Sequence, residues 1–397
     1  MINMNISICC IAYNRVDSLK RLLNSLEQAD YGVNKPTLII SIDKSSTAVV
    51  ENYANEYCWK FGDKIVYTHS ENLGLRKHVL ECGTHLEDYD AMVVLEDDIT
   101  VSPYFFQYAV QCVEKYSNDE RIAGISLYNF PVSYHTKLPF KPVKSEYDVF
   151  MMNCAQSWGQ VWMKNQWRKF KEWYEKNLEE FNKPDLPQSI NSWPKSSWLK
   201  YHTRYCIEHN KFFVYPYEAL STNNNDVGTH VKDVGVNIFQ SSLQLLSKPS
   251  YKLPIFEECI VKYDGFFEPL FLASWLKVDS EKLCVDINGL KNMCLFKRYL
   301  LSRKGLPYKI IKSYSISLKP IEANILFDNK GSSLFLYDTH INTENSLLVQ
   351  NNGYLEYLYG FSLTELLHRY GAKNLSRIFI AKILHKIKKY IKNGGTS

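Results

Sequence analysis

Four short apolar runs in the first hundred residues, each followed by a helix-like pattern, restrict the fold more than any other feature of the sequence. The first run, residues 5–13 (NISICCIAY), is continuous, as in a strand that is buried on both faces. The other runs cover residues 37–42, 64–68 and 91–95. Strands that alternate with helices are joined by right-handed crossovers. The pattern therefore predicts an α/β fold with a mostly parallel, doubly wound, Rossmann-like sheet.

The segments between and after these runs predict helices. Asn14 is the expected cap of a helix that runs from about residue 16 to residue 26. A less regular region rich in Trp, Tyr, Asn and Pro follows, with helices expected over about residues 161–176 and 197–210. Beyond about residue 240, short strand-like pieces mix with helical ones, which predicts an α+β C-terminal region.

Composition and cysteine usage exclude several classes of protein. Hydrophobic residues make up 45% and charged residues 22% of the chain, the balance of a folded protein. The net charge is only +5 and the basic residues are not massed, so we expect no nucleic-acid partner. The 10 cysteines form no C-x-x-C pair, and no signal peptide or long apolar span is apparent. The sequence therefore predicts a cytoplasmic protein with free thiols.

Acidic residues stand where two of the predicted strands end. Asp43 follows the second run, and Glu96, Asp97 and Asp98 follow the fourth. In parallel sheets, ligands bind beyond the carboxyl ends of the strands. Adjacent carboxylates repel one another unless a cation compensates, and Mg²⁺ or Mn²⁺ prefers oxygen ligands and completes its shell with phosphate and water. The triplet therefore predicts a site for a divalent ion and a nucleotide diphosphate. The alternatives are a solvated acidic loop and a cap of the next helix.

Residues 93–108 (VVLEDDITVSPYFFQY) resemble the EDD segment of GT-A glycosyltransferases of the N-acetylglucosaminyltransferase I type, and of bacterial family-2-like transferases of surface-polysaccharide synthesis. Weaker similarities occur in family order at residues 8–14 (ICCIAYN), 41–43 (SID), 72–75 (NLGL), 157–167 (SWGQVWMKNQW) and 215–230 (YPYEALSTNNNDVGTH). The resemblance covers roughly residues 5–235. It implies a GT-A fold, a nucleotide-sugar donor and a glycan or lipid-linked glycan acceptor, in capsule or O-antigen synthesis.

The resemblance also implies roles for individual residues. Asp98 is the expected metal ligand, and His230, on a loop that closes over the donor, is expected to reach the metal or the diphosphate. The expected donor-binding residues are Asn14, Arg15, Asp43, Arg76, Glu96, Asp97 and Trp158. Within this set, Asp43 is expected to accept a hydrogen bond from the base, and Trp158 to border the acceptor pocket. A solvated surface position is the alternative for Arg15, Arg76 and His230, and a core position is the alternative for Trp158.

The general base is where the pattern breaks. An inverting transfer needs a base for the acceptor hydroxyl, and the resembling family places an Asp before a Trp for this purpose. Residues 192–198 (SWPKSSW) carry no acid beside Trp198. Asp185 and Asp226 are the remaining candidates. A relocated base, a retaining mechanism and a weakened enzyme all stay open, as does a degenerate transferase fold that acts as a membrane scaffold.

A nucleotidyltransferase is a further alternative, because such enzymes also combine parallel sheets with metal-binding carboxylates. These enzymes usually carry a Gly-rich phosphate loop after the first strand, whereas residues 9–15 (CCIAYNR) contain no Gly. The sequence therefore argues against this class.

The chain divides into three predicted parts: a catalytic domain over residues 1–240, an accessory domain over 241–375 and a basic tail over 376–397. Acceptor binding and dimerisation are the open roles of the accessory domain, so a homo-oligomer is one expected state. Residues 377–392 carry six Lys or Arg and no acid on an amphipathic helical pattern. We expect this tail either to attract the anionic inner face of the membrane or to pack as an ordinary helix.

Overall fold

The computed structural model describes residues 4–224, 226, 237–343, 354–360, 362–377, 380 and 383–384. His230 and most of the basic tail lie outside these ranges. The strands are β1 Ile6–Ala12, β2 Leu38–Ile42, β3 Lys64–Thr68, β4 Ala91–Glu96, β5 Ile99–Val101, β6 Ile122–Ser126, β7 Val149–Met152, β8 Gln160–Met163, β9 Phe212–Pro216, β10 Ser221–Asn223, β11 Lys262–Tyr263, β12 Leu283–Asp286, β13 Tyr299–Ser302, β14 Tyr308–Tyr314 and β15 Leu334–Asn342.

The helices are α1 Val16–Glu27, α2 Val49–Glu56, α3 Gly74–Cys82, α4 Phe105–Tyr116, α5 Lys164–Glu175, α6 Gln188–Asn191, α7 Trp198–Glu208, α8 Ala273–Leu276, α9 Ala323–Leu326, α10 Tyr354–Tyr359 and α11 Leu363–Tyr370. Short 3₁₀ segments occur at Gly83–Asp88, Ser280–Lys282 and Met293–Leu295. Within the described ranges, no helix has both the length and the apolar character needed to cross a bilayer.

The central sheet has nine strands in the order β11-β7-β9-β6-β8-β4-β1-β2-β3. Strand β1 pairs in parallel with β2 and β4, and β2 pairs in parallel with β3. Strand β8 runs antiparallel to both β4 and β6. Every residue of β1 and β2 is buried, as expected for strands covered by helices on both faces. The predicted α/β fold with a mostly parallel sheet is confirmed.

Two local predictions near the sheet differ from the structure. Helix α1 begins at Val16 after Arg15, without a side-chain cap, and Asn14 is exposed. The helix expected from residue 161 begins only at Lys164, because the preceding residues form β8. Val161 is buried between β4 and β6, where a strand satisfies the backbone groups of both neighbours.

The C-terminal part builds a second, four-stranded sheet in the order β12-β13-β15-β14. Its apolar core includes Leu301, Leu334 and Leu336, which pack with Leu276 of α8. Strand β11 still belongs to the first sheet, because it pairs in parallel with β7. The first sheet therefore extends past the division predicted at residue 240, up to Tyr263.

Candidate active site

The acidic triplet forms the turn at the carboxyl end of β4. Glu96 is the last residue of the strand, and Asp97 and Asp98 lead into β5. Strand β5 pairs antiparallel with β10. Just after β10, Asn224 donates from its backbone N–H (2.7 Å) and its side-chain Nδ2 (3.0 Å) to the backbone oxygen of Asp98. These two hydrogen bonds connect the acidic turn to the residue that follows β10.

Arg15 reaches the triplet from the turn between β1 and α1, the neighbouring parallel strand and its helix. Its Nε lies 3.3 Å from Oδ2 of Asp97, and its Nη2 pairs with Oδ1 of the same residue. The Nη2 also lies 3.5 Å from Oδ2 of Asp98. The structure therefore brings Arg15 to the acidic turn.

Asp226 adds a fourth carboxylate to this region. Ser18 Oγ donates a hydrogen bond of 2.8 Å to its Oδ2, and Arg21 forms an ion pair with the same oxygen. Both partners lie on α1. They therefore anchor Asp226, which follows β10, to this helix. The negative charge of Asp226 raises the pKa of both Asp97 and Asp98, so it lies close to the triplet. Four carboxylates thus share a region with two guanidinium groups.

This crowding changes the acidity of the triplet. Burial, together with the negative charges of Asp98 and Asp97, raises the pKa of Glu96 to about 8. Arg15 and the Trp198 indole have the opposite effect and lower it. Burial also raises the pKa of Asp97 to about 6, opposed by Arg15. The pKa of Asp98 is raised by burial and by Asp226. A cation bound among these groups would favour their charged forms and lower all three pKa values.

The donor set fits a hard divalent ion. Asp98 Oδ1 is buried and accepts no hydrogen bond from any residue that the structure describes. Such a carboxylate oxygen is the ligand type that Mg²⁺ and Mn²⁺ prefer. No group of three or more His, Cys, Asp or Glu in the described ranges is arranged as metal ligands. An ion at Asp98 would therefore complete its shell with phosphate oxygens and water, as Mg²⁺ usually does.

Asp43, at the carboxyl end of β2, is engaged by backbone amides. It accepts hydrogen bonds from Lys44 (2.9 Å), Leu73 (2.8 Å) and Gly74 (3.0 Å). Gly74 has φ of +73°, which disfavours a residue with a side chain. Asp43 thus holds the start of α3 beside the ends of β1 and β2, a role that the sequence did not predict. Its contact with the donor base stays a prediction.

Trp158 belongs to an aromatic cluster that contacts β10, the strand paired with β5. Its ring is half-buried, 4.8 Å from Tyr128 and 5.3 Å from Phe239. Its backbone oxygen accepts a hydrogen bond of 2.5 Å from Ser221 Oγ, which connects it to β10. Gly159 has φ of +99°, and a Cβ there would lie 2.7 Å from Ser221 Oγ. Glycine at position 159 therefore permits this close approach to Ser221.

Three predicted residues do not join the triplet. Arg76 donates a hydrogen bond of 3.1 Å to the hydroxyl of Tyr201, and its guanidinium carbon lies 5.3 Å from that ring. Among the interactions of the described residues, none connects Asp185 or the exposed Asn14 to the acidic turn. The functional roles of these residues stay predictions, as does that of His230.

Sequence reasoning missed two aromatic residues here. Burial and the charge of Asp98 raise the pKa of Glu96, and the indole of Trp198, at the start of α7, opposes them to a smaller extent, so Trp198 lies near Glu96. The sequence signal for this contact was Trp198 itself, which we considered in the sequence only because no acid stands beside it. Tyr13 is 42% exposed directly after β1, next to Arg15. The exposed ring of Tyr13, at the end of a buried strand, is a candidate stacking surface for a ligand ring.

Comparison with known proteins bears on the class. Residues 7–148, a little over a third of the chain, match the sequence model of Glycosyl transferase family 2. No curated protein sequence matches the chain significantly. Similar solved structures include the mannosyltransferase PcManGT from Pyrobaculum calidifontis in complex with GDP-Man and Mn²⁺ (13% identity, 54% of this chain and 55% of that chain, TM-score 0.36). TarS 1–349 from S. aureus in complex with UDP-GlcNAc is also similar (13% identity, 59% and 62%, TM-score 0.39).

A third similar structure is GalNAc-T7 with UDP, GalNAc and Mn²⁺ (11% identity, 55% of this chain and 43% of that chain, TM-score 0.38). In each of these pairs the chain covers less than two thirds of the solved chain. The matched family and the sheet define the class: the N-terminal part is a glycosyltransferase domain of the GT-A type. The predicted resemblance to glycosyltransferases and the predicted glycosyltransferase class are confirmed, and the role of the EDD segment stays a prediction.

Proposed function

We propose that the chain transfers a sugar from a nucleotide-diphosphate donor to a glycan or lipid-linked glycan acceptor, with Mn²⁺ or Mg²⁺ at the turn of Glu96, Asp97 and Asp98. One observation carries the proposal: Asp98 Oδ1 is a buried carboxylate oxygen without a hydrogen bond from the described residues, at the carboxyl end of a parallel strand. A carboxylate oxygen buried without a partner is costly, and a cation removes that cost.

Each residue has a distinct role in this proposal. Asp98 holds the ion, which when bound neutralises charge that develops on the leaving diphosphate. Arg15 fixes Asp97 and Asp98 and keeps the turn compact. Asp43 positions the first turn of α3 beside the donor base. Tyr13, exposed at the end of β1, offers a ring against which the base stacks.

Asp226 is the better placed of the two predicted bases, because its charge raises the pKa of Asp97 and Asp98 after the larger effect of burial, while no interaction among the described residues links Asp185 to them. Ser18 and Arg21 hold its carboxylate in place. A base must reach the acceptor hydroxyl directly or through one water.

The proposed setting is surface-polysaccharide synthesis at the inner face of the membrane. In this setting, the basic tail brings the chain to anionic lipid.

A panel of nucleotide sugars, with and without Mn²⁺, tests the proposal. We expect metal-dependent release of a nucleoside diphosphate, and loss of that release in Asp98→Ala. Asp17→Ala is the matched control, because the Asp17 side chain is 92% exposed on α1 and makes only a surface ion pair with Lys20. Full turnover by folded Asp98→Ala would contradict the site assignment. Release of pyrophosphate would indicate a nucleotidyltransferase, and failure to bind any donor would favour the scaffold alternative.

A further inference from the structure

A cavity of about 590 Å³ lies in the C-terminal domain, on the four-stranded sheet rather than at the acidic turn. Its size falls within the range of small-molecule sites in proteins. Its walls combine apolar and basic side chains: Leu276, Val278, Tyr299, Ile310, Ile311 and Leu336 with Lys277, Lys309, Lys312 and a single acid, Asp338. A site of this composition suits a ligand that has both an apolar part and a negative charge.

Backbone irregularities direct these lysines towards the cavity. Strand β14 is the edge strand of the sheet, and its pairing with β15 shifts between Ile310 and Lys312. Such a bulge changes the direction of the side chains around it. Lys309 pairs with Asp338 and Lys312 with Leu336 across the two strands, so these residues share one face of the sheet. Lys277 enters from the other wall, in a left-handed conformation (φ 58°) at the end of α8.

The cavity carries an excess of positive charge, with three lysines and one acid in its lining. Asp338 lies 3.5 Å from Nη2 of Arg298, and the nearby Asp328 pairs with Lys330 at 2.7 Å. The charges of Lys277 and Lys312 lower the pKa of Asp328 after the larger effect of Lys330, so they lie within electrostatic range of it. No ion pair within 4.0 Å joins a described carboxylate to any of the three cavity lysines. Lys312 Nζ lies 3.5 Å from the backbone oxygen of Leu276, a contact that leaves its charge without a paired carboxylate. An anion in the cavity would therefore find three ammonium groups that no described carboxylate neutralises at close range.

We propose that this cavity binds a phosphate group carried on an apolar chain, the chemistry of the lipid portion of a lipid-linked acceptor. The identification of the ligand as an acceptor rests on the proposed transferase function, whereas binding itself does not. A free phosphate would leave the six apolar walls without a contact, and a neutral lipid would leave the lysines without one. A phosphorylated apolar chain uses both halves of the cavity, and farnesyl phosphate is a probe of that class.

Calorimetric titration of the full chain with farnesyl phosphate, farnesol and inorganic phosphate tests this proposal. We expect farnesyl phosphate to bind at least about tenfold tighter than either of the other two probes. The variant Lys309→Ala/Lys312→Ala is expected to weaken its binding by about tenfold or more, because it removes two attractive charges. Lys297→Ala/Lys304→Ala is the matched control, since both lysines are exposed in the same domain outside the cavity, and its affinity should be unchanged.

Equal affinity of wild type and Lys309→Ala/Lys312→Ala for farnesyl phosphate would overturn the proposal. Inorganic phosphate or farnesol binding as tightly as farnesyl phosphate would overturn it as well, because one half of the cavity would then contribute nothing. Donor turnover without acceptor is measured on the same samples. One outcome separates the two proposals: wild type shows no donor turnover but binds farnesyl phosphate, and Lys309→Ala/Lys312→Ala does not bind it. The cavity assignment then stands and the transferase proposal falls.

Discussion

The molecule holds two buried acidic clusters that look alike chemically and differ in their surroundings. The sheet-edge cluster consists of Glu96, Asp97, Asp98 and Asp226. The junction cluster consists of Asp264, Glu268 and Asp286, which follow or end strands of the two sheets. Burial raises the pKa of Glu96 and of Glu268 to about 8 in each case. Each cluster also contains buried carboxylate oxygens without a hydrogen bond from the described residues: Asp98 Oδ1 in the first, and Glu268 Oε2 and Asp286 Oδ2 in the second.

The partners of the two clusters differ. In the junction cluster, Lys291 Nζ lies 2.5 Å from Asp264 Oδ2, and the Lys291 side chain is only 10% exposed. Glu268 accepts the backbone N–H of Asn288 at 2.8 Å, and Asp286 accepts that of Leu290 at 2.7 Å. These bonds tie the turn after β11 to the turn after β12. We infer that the junction cluster connects the two sheets.

The sheet-edge cluster is held from elements far apart in the chain and is partly exposed at Arg15 and Asp98. Arg15 is 27% exposed, and the Asp98 side chain is 23% exposed. Its carboxylates lie at the carboxyl end of a parallel strand, where ligands bind in such sheets. A raised pKa and an unpaired oxygen are therefore common to a structural cluster and a binding cluster. Position in the sheet distinguishes the two, since the exposure of Asp264 (18%) is close to that of Asp98 (23%).

The largest expected difference between the clusters is in catalysis. Asp98→Asn is expected to lower donor turnover by at least about 100-fold, because an amide oxygen cannot supply the negative charge that holds a cation. Glu268→Gln should stay within about twofold of wild type, since it lies outside the site. Steady-state donor hydrolysis measures both. Equal losses in the two variants would remove the distinction drawn between the clusters.

Stability is expected to show the opposite order. Lys291→Met leaves Asp264 and its neighbours buried without their cation, which should lower the free energy of unfolding by about 3–5 kcal/mol. Arg15→Met should cost less, because the Arg15 side chain is itself 27% exposed and its ion pair is partly screened by water. Lys282→Met, which breaks an exposed pair with Asp279, is the control and should change little. Urea unfolding provides the comparison, and a greater loss in Arg15→Met would contradict it.

Glu268 also predicts a pH dependence of stability. Its folded pKa of about 8 exceeds its ordinary value of 4.5, so the folded state binds more protons between these values. The stabilisation is fully present below pH 4.5 and is lost as the pH rises through about 8. Glu268→Gln should therefore show a flatter decline of unfolding free energy over this window. An unchanged slope in this variant would show that Glu268 is ionised at low pH in the fold.

The smallest expected effect concerns protons released on binding. Glu96 has the same raised pKa as Glu268, but only Glu96 lies where the proposed cation binds. Binding of Mn²⁺ and a nucleoside diphosphate at pH 7 should release a fraction of a proton from Glu96. Calorimetry in buffers of different ionisation enthalpy measures this release. Glu96→Gln should abolish it and Glu268→Gln should keep it, whereas the reverse pattern would place the cation at the junction.

The sequence predicted the parallel half of the sheet and its acidic edge well. Strands β1 and β4 lie within about one residue of the apolar runs, because strands buried on both faces leave a continuous signal. Strand β8 was read as helix, since its four residues run directly into α5. The pairing of β8 with β4 on one side and β6 on the other decides its conformation. The local hydrophobic pattern does not contain information about these partners.

The sequence predicted the carboxylates of the site better than the residues that pair with them. Strand ends placed Glu96, Asp97 and Asp98 together, and Arg15 at the adjoining turn. The ion pair of Asp226 with Arg21 joins residues that are 205 positions apart, which only the tertiary fold reveals. The junction cluster was not predicted at all. Its acids are spread over residues 264–286 without a strand or helix period, so no sequence pattern indicates that they meet.

Electron paramagnetic resonance of Mn²⁺ in the presence of UDP or GDP tests the central claim most directly. The claim is that the sheet-edge cluster, and not the junction cluster, holds a divalent cation together with a nucleoside diphosphate. We expect wild type and Glu268→Gln to bind Mn²⁺ equally, and Asp98→Asn to leave the ion free in solution. Mn²⁺ bound equally well by Asp98→Asn, or lost only in Glu268→Gln, would contradict the account.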